Sequence, residues 1–467
     1  MKRTIMPPSV SLSAFSLISA ASVFAMFLYG NDFGPGARSS TLLWIWLTSA
    51  LLYIYANAKF VAQLFTPSVL ATLYLGLSYA IGASVPLELH PSIFALRMAY
   101  VPEISWVNTY LIASLSIMCL VAGRSLRRSS FALENSTGKV PEGRPAVVIL
   151  ALTILLLTIP FNHFLLFGFR FGLAIVILLY AFRMRSGAFT ILSCLLTLGI
   201  FLLTSYQNKR ELLFVIFLIG LIASSHTKLG LNLNLKAIFL GIAAIFLSVV
   251  VIVAASISRG YGGYHVSSPV DALRYTGEYI DSPYFVQFFL ENIEAVHTYP
   301  ASVLAIDMAV RGDVPYQFGA TFLKVLFLPI SRDWISFKPE SALQLFTQRV
   351  SPEGWAAGHS LPVPLPAEAF LNFHAVGLLI LPIFFLVFDR FFLTALVSIR
   401  GAEKFVGLAM IGVVILSLIV VRGGGLELLV ITIAMALPAL LLPKVRFVRR
   451  KLRVRLAGQE VRYQPDV

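Results

Sequence analysis

SRGYGGYHVSSPVDALRYTGEYIDSPY (258–284) begins the longest polar stretch of this chain, which runs from Arg259 to Pro366. Gly and Pro interrupt the stretch, and charged residues lie between its aromatic residues, so it is not expected to cross a bilayer as a helix. A connection of roughly a hundred residues between apolar segments is usually either functional or disordered. The high content of Tyr, Trp and Phe argues against disorder. We therefore predict a folded cap over a membrane-embedded site.

The composition outside this stretch is strongly apolar. Hydrophobic residues make up 58% of the 467 residues and charged residues only 12%, with a mean hydropathy of +0.85. Because a soluble domain carries about a quarter charged residues, the chain is predicted to be an all-α polytopic membrane protein. Cys119 and Cys194 lie in apolar runs, which favours small core residues over a disulfide or a metal site. The first apolar run, to Tyr29, is long enough to span, and we interpret it as an uncleaved helix.

Windows of about twenty apolar residues indicate about twelve transmembrane helices. They lie at approximately 9–30, 41–57, 65–84, 106–123, 145–161, 164–182, 188–205, 212–225, 237–257, 369–388, 404–421 and 426–443. The chain is thereby divided into an N-terminal membrane bundle of about nine helices (1–258), a large loop with short helices (259–368), C-terminal transmembrane helices (369–443) and a basic tail (444–467).

Lys and Arg in the connecting segments predict the orientation of these helices. If Met1 is cytoplasmic, most of the positive charge in short connections lies on the cytoplasmic side, at Lys59, Arg124, Arg127, Arg128, Lys139, Arg144, Arg183, Arg185, Lys228, Lys236, Arg390, Arg400 and Lys404. Both termini are then cytoplasmic, and the large loop faces the periplasm or exterior. The net charge of +14 is explained by these segments and by the tail KVRFVRRKLRVR (444–455), a pattern typical of contact with anionic lipid rather than with nucleic acid.

Three short junctions on the opposite side carry cations that break this orientation rule. They are NKREL (208–212) with Lys209 and Arg210, SRGYGG (258–263) with Arg259, and RGGG (422–425) with Arg422. Cations at membrane depth are costly unless they are paired or face a polar cavity, and the planar fork of Arg suits phosphate oxygens. The pattern favours a pocket for a lipid-linked pyrophosphate. The alternative is that each cation reaches lipid headgroups or neutralises a nearby Glu. We expect Arg170 to lie a turn or two deeper.

GHSLPVPLPAEAFLNFHAVG (358–377) carries a group of titratable residues at the end of the large loop. His359 lies in a Gly/Pro-rich segment, Glu368 at the mouth of the next span, and His374 six residues later. Either His or Glu in a partly dehydrated cleft can act as a general base. The alternatives are a solvated loop histidine for His359 and an ordinary acid of the first helical turn for Glu368. Spacing alone leaves both interpretations open.

The run 284–310 has helical periodicity, with a polar face that carries Glu291, Glu294 and His297. It could lie on the membrane surface as an interfacial helix. The aromatic residues of the loop could stack on sugar rings, although most are better explained as the core of the loop itself; they are Tyr261, Tyr264, Tyr275, Tyr279, Trp334 and Trp355. The sequence contains no Walker loop, HExxH or CxxC, so nothing in it indicates ATP hydrolysis or a conventional zinc site.

This arrangement resembles the Wzy family of O-antigen, or oligosaccharide-repeat-unit, polymerases. The resemblance covers most of the chain in topology, and in residues it is carried by NKREL, SRGYGG, FKPES (337–341), the GHSLP to AEAFLNFHAVG segment and RGGG. It implies a GT-C-like membrane glycosyltransferase of the cell inner membrane, acting in lipopolysaccharide or related polysaccharide biosynthesis. Such an enzyme joins undecaprenyl-pyrophosphate-linked oligosaccharides on the periplasmic face, without nucleotide sugar, cofactor or metal.

The resemblance also implies roles for individual residues and partners. An acceptor hydroxyl would attack the anomeric carbon of the donor, with Glu368 or His359 as the base and undecaprenyl pyrophosphate as the leaving group. The candidates for binding the pyrophosphate are Arg210, Arg259 and Arg422, followed by Lys209 and Lys338. The expected partners are membrane lipid, the lipid-linked oligosaccharides and a polysaccharide chain-length regulator.

Two other functions fit parts of the same pattern. An O-antigen ligase uses a similar lipid carrier but transfers the glycan to the lipid A core. A lipid-linked oligosaccharide flippase would carry charges in a central cavity at mid-membrane and would need no large structured outer loop. The charges at the outer junctions and the size of the loop favour an enzyme over a flippase, whereas the sequence alone leaves polymerase and ligase both open.

Overall fold

The computed structural model describes residues 8–135, 164–183, 187–205, 212, 215–222, 249–250, 252–258, 266, 268–283, 285–293, 295–327, 334, 338–398, 421, 423, 434–435 and 437–438. These residues form helices joined by turns, with no β-strand among them. The helices are α1 (Pro8–Tyr29), α2 (Arg38–Asn57), α3 (Pro67–Ser84), α4 (Ser92–Met98), α5 (Ile104–Asn135), α6 (Phe164–Arg183), α7 (Gly187–Ser205), α8 (Pro269–Ile280), α9 (Phe285–Asn292), α10 (Ala295–Val310), α11 (Ala320–Leu323), α12 (Ala342–Val350), α13 (Pro352–Ala356), α14 (Leu365–Phe373) and α15 (Gly377–Ser398). Short 3₁₀ turns lie at Val61–Phe65, Leu87–Leu89, Lys324–Phe327 and His374–Val376.

Four segments of the described chain are long and apolar enough to cross a membrane. They are Val10–Tyr29, Arg38–Asn57, Ile104–Ser129 and Leu365–Thr394, and shorter apolar helices lie at Gly168–Leu179 and Gly187–Leu202. This confirms the prediction of a helical, membrane-embedded protein. The predicted spans at 145–161, 404–421 and 426–443 lie wholly or largely outside the described residues.

Helix α5 lies at the centre of the bundle and packs against α1, α2, α3 and α15. Gly123 of α5 meets Tyr53 of α2 so closely that a Cβ at Gly123 would lie 2.1 Å from the Tyr53 hydroxyl. Small residues at such positions allow membrane helices to approach closely. Close packing matters because lipid tails are as apolar as the helix surfaces, so the hydrophobic effect does not drive helices together within a membrane. The outer faces are also apolar, and α1 exposes Leu17, Phe24 and Phe27. A helix that is apolar all round is expected where one side faces lipid.

The prediction of an interfacial helix over 284–310 is wrong for its second half, Ala295–Val310. The run divides into α9 and α10, and α10 is buried against α3, α14 and α5. The reason lies in its polar residues, which find partners within the bundle. The hydroxyls of Ser302 and Tyr79 lie 3.0 Å apart, and the Tyr299 hydroxyl donates to Asn108 Oδ1 at 2.8 Å. A helix of the predicted cap is therefore part of the main core.

The predicted span at 369–388 consists of two helices, α14 and α15, separated at His374. His374 has φ 55° and ψ −142°, a region in which residues other than Gly are strained. After His374 the chain packs closely against α14 at Gly377. A Cβ at this position would lie only 2.6 Å from the carbonyl oxygen of Ala369. Only a residue without a side chain allows so tight a junction.

Candidate functional site

Helix α14 places the predicted base Glu368 in the interior. The helix begins with Pro at its first turn, where the missing N–H costs nothing, and residues 365–372 are buried. It packs against α10, α11 and α5. Glu368 is only 1% exposed, so the carboxyl group is withdrawn from solvent. A buried carboxyl group is tolerated only where polar partners replace water.

Glu368 forms a small polar network with Thr321 and Asn372. The Thr321 hydroxyl donates to Glu368 Oε1 at 2.8 Å and accepts from Asn372 Nδ2 at 2.7 Å. Asn372 Nδ2 also donates to the backbone oxygen of Glu368 at 2.8 Å, since residues four apart share one helix face. Asn372 Oδ1 is buried and accepts no hydrogen bond from the residues that the structure describes. The network thus offers an acceptor to a further polar group.

A buried cation, Lys324, lies on the same short helical segment as Thr321, one turn along. Lys324 is 7% exposed, and its Nζ donates to Gln344 Oε1 at 2.9 Å. Gln344 is held in turn by the first turn of α12, where the Ser341 N–H donates to the same oxygen at 3.0 Å. Sequence reasoning missed Lys324 and Thr321. The available signal was a single Lys within the apolar run ATFLKVLFLP (320–329).

An aromatic cluster at the C-terminal end of α14 consists of Trp106, Tyr316, Phe370 and His374. The His374 ring lies 4.6 Å from the Phe370 ring, 5.3 Å from that of Tyr316 and 6.0 Å from that of Trp106. Phe370 is buried, Trp106 and Tyr316 are half-buried and His374 is exposed, so the cluster has an open edge. Burial raises the pKa of Tyr316, which keeps its hydroxyl protonated. Open aromatic faces next to polar groups are suited to sugar rings.

Gly423, the described residue of the RGGG motif, lies against the segment that leads into α14. Gly423 has φ 108°, and a Cβ there would lie 2.4 Å from backbone atoms of Val363. Val421 is buried in the same core as Val363 and Leu365. Gly423 and Val363, which belong to two separate sequence motifs, are thereby brought into contact.

The remaining predicted site residues have different placements. His359 is exposed after α13, and its backbone N–H donates to the Gly354 oxygen at 2.8 Å. Lys338 is half-buried just before α12. Arg170 is 1% exposed, with its guanidinium 4.9 Å from the centre of the Phe201 ring. The four predicted pyrophosphate ligands Lys209, Arg210, Arg259 and Arg422 lie outside the described residues.

Among the loop aromatics, Tyr275 and Tyr279 pack in a small apolar cluster with Val253 and Ile257, as expected for core residues of the loop. Trp334 is 84% exposed and Trp355 is half-buried, whereas Tyr261 and Tyr264 lie outside the described residues. Within the described part of the chain, no three His, Cys, Asp or Glu side chains come together as ligands for a metal ion.

Comparison with protein-family models, with curated proteins and with solved structures finds no match to this chain. The resemblance to the polymerases therefore stays a prediction from the sequence motifs.

Proposed function

We propose that the protein is a membrane glycosyltransferase that polymerises undecaprenyl-pyrophosphate-linked oligosaccharides, as an O-antigen polymerase does. The observation that carries the proposal is the buried network of Glu368, Thr321 and Asn372 beside an open aromatic edge. A carboxylate, hydrogen-bond donors and aromatic faces are the groups that sugar chemistry needs. Gly423 of the RGGG motif, in close contact with Val363, belongs to the same region.

In the proposed reaction, a hydroxyl of the acceptor sugar attacks the anomeric carbon of the donor glycan. A new C–O bond forms, the bond from that carbon to the pyrophosphate breaks, and the hydroxyl proton passes to the Glu368 carboxylate. Undecaprenyl pyrophosphate leaves with the bonding electron pair. The Thr321 hydroxyl holds Glu368 Oε1 in place, and the sugar stacks on the edge formed by Trp106, Tyr316 and His374.

Neutralisation of the leaving group is assigned to the cations of the outer junctions. Arg210, Arg259 and Arg422 are the first candidates and Lys209 and Lys338 the second, because preorganised cations stabilise developing negative charge. The proposal includes about twelve transmembrane helices of the GT-C type, with the large loop on the periplasmic face of the inner membrane and both termini in the cytoplasm.

The test is incubation of the purified full-length protein with one synthetic undecaprenyl-pyrophosphate oligosaccharide. We expect a ladder of longer lipid-linked glycans without nucleotide or added metal. Glu368→Gln should abolish the ladder, since a neutral amide cannot take up the proton. The matched control is Glu353→Gln, which changes an exposed carboxylate on α13 and should leave the ladder intact.

Two outcomes would contradict the proposal in different ways. A product that forms only when lipid A core is supplied as acceptor would identify a ligase. Movement of the lipid-linked oligosaccharide across proteoliposome membranes without formation of a glycosidic bond would identify a flippase. Full turnover by Glu368→Gln would remove Glu368 as the base, whichever activity is found.

A further inference from the structure

A cavity of about 120 Å³ lies where α5 meets α15, and Glu368 is not among its lining residues. Three arginines line the cavity together with Asp389, namely Arg124 and Arg128 of α5 and Arg390 of α15. The three arginine residues are exposed, whereas Asp389 is only 2% exposed. The cavity thus has a basic mouth and a buried acidic floor.

The hydrogen bonds of Asp389 keep its carboxylate occupied within the bundle. Its oxygens accept from the Ser68 N–H at 2.9 Å, from the Ser68 hydroxyl at 2.5 Å and from the Ser125 hydroxyl. The Ser68 N–H belongs to the first turn of α3, where the helix dipole favours a negative charge. Asp389 of α15 therefore links this helix to α3 and α5, through hydrogen bonds from Ser68 and Ser125 to its carboxylate.

None of the three guanidinium groups forms an ion pair with the part of the chain that the structure describes. Around this small cavity the three arginine charges outnumber the single carboxylate of Asp389, so an anion at the basic mouth is favoured. The planar fork of Arg donates two parallel hydrogen bonds to phosphate oxygens. The cavity is accordingly suited to a phosphate group.

The surroundings of the cavity indicate which phosphate it takes. Arg124 and Arg128 lie near the end of the apolar segment Ile104–Ser129, and Arg390 lies near the end of Leu365–Thr394, so the cavity lies at the depth of lipid headgroups. Val387 and Phe391 beside it are exposed apolar residues that can contact acyl chains. We infer that this cavity binds the phosphate of an anionic phospholipid.

The experiment measures lipid binding to the full-length protein in detergent by native mass spectrometry, with phosphatidylglycerol and phosphatidylcholine as probes. Phosphatidylglycerol should bind more tightly. If each arginine that lines the cavity contributes about a fivefold gain in affinity through its contact with the phosphate, the double variant Arg128→Ala/Arg390→Ala should weaken binding by roughly 30-fold. The matched control is Arg127→Ala, which removes an exposed arginine of α5 that does not line the cavity and should leave binding unchanged.

Replacing two arginines by lysine tests the hydrogen-bond geometry of the guanidinium groups without removing their charge. Arg128→Lys/Arg390→Lys keeps both cations but loses the forks, so we expect binding intermediate between the native chain and the alanine variant. This variant also serves if the alanine variant fails to fold. Equal binding of both lipids, or an equal loss in Arg127→Ala, would overturn the site. Displacement of the lipid by millimolar inorganic phosphate would overturn the lipid assignment, because the ligand would then be a soluble phosphate.

Discussion

Thr321 is a residue on which the geometry of Glu368 directly depends. Its hydroxyl donates to the Glu368 carboxylate and accepts from Asn372, so it is a positioning residue with two partners. Thr321→Val keeps the shape and removes both hydrogen bonds. We expect the free energy of unfolding to fall by about 1–3 kcal/mol, the usual penalty for a buried polar group that loses its partner. The unfolding midpoint of the purified protein in detergent measures this.

Thr321→Ser is the matched control, because it restores the hydroxyl and removes only a methyl group. If Thr321 positions Glu368, Thr321→Ser should recover glycan polymerisation as well as stability. Equal stability of the Val and Ser variants would show that the hydroxyl does not support the network.

His90 predicts a pH dependence of stability that is separate from catalysis. Its ring is 5% exposed, and Nδ1 lies 3.1 Å from the Val296 oxygen. Burial lowers the pKa of His90, so the folded protein favours the neutral ring. The unfolded chain therefore takes up this proton first as the pH falls below about 6.5, and the stabilisation is lost between that pH and the lower folded pKa.

His90→Asn should reduce this loss of stability on acidification, since an amide can still donate to Val296 but cannot be protonated. The measurement is the unfolding midpoint between pH 8 and roughly pH 5. His359→Asn is the control, because it makes the same replacement at an exposed histidine. An unchanged pH profile in His90→Asn would contradict the assignment.

At the scale of elements, the contact between the RGGG turn and the segment before α14 can be tested at Gly423. Gly423→Ala would force a Cβ to within 2.4 Å of the Val363 backbone at a φ of 108°. The turn must then shift away from α14, and we expect loss of polymerisation together with a destabilisation of about 1–3 kcal/mol. Product length and the unfolding midpoint are the measurements.

Gly358→Ala is the control for Gly423. Gly358 has a similar left-handed φ of 81°, but no atom lies within 4 Å of the added Cβ. It should show only the backbone cost of about 1 kcal/mol and retain activity. If both variants behave alike, the effect at Gly423 is backbone strain, and the contact with Val363 has no functional part.

The elements also show which parts of the site the sequence could predict. The sequence singles out Glu368 as a candidate because a carboxylate at the first turn of a helix is a local pattern. Thr321 and Lys324 were missed because their partners, Glu368 and Gln344, lie 47 and 20 residues away. The burial of α10 was missed for the same reason, since periodicity describes the faces of a helix but not that Ser302 would pair with Tyr79.

At the scale of the whole molecule, α5 connects the two sites. Trp106, near the start of α5, belongs to the aromatic cluster. Arg124, near the end of the apolar segment of α5, lines the arginine cavity. A helix rises about 1.5 Å per residue, so these residues lie about 27 Å apart along α5. This is close to the thickness of the hydrocarbon core, about 30 Å. The apolar windows alone predicted this span correctly, because length and hydropathy are local properties of the sequence.

The two ends of α5 should therefore lie on opposite sides of the membrane, and cysteine labelling tests this. In a background with Cys119→Ala and Cys194→Ala, single cysteines replace two exposed residues, Glu353 of α13 and Arg127 of α5. A membrane-impermeant maleimide added to intact cells should label Glu353→Cys but not Arg127→Cys, because basic residues favour the cytoplasmic side. Permeabilised cells should label both, which controls for accessibility. Labelling of both in intact cells would place the arginine cavity on the same side of the membrane as the candidate site, which would contradict the orientation predicted from the sequence.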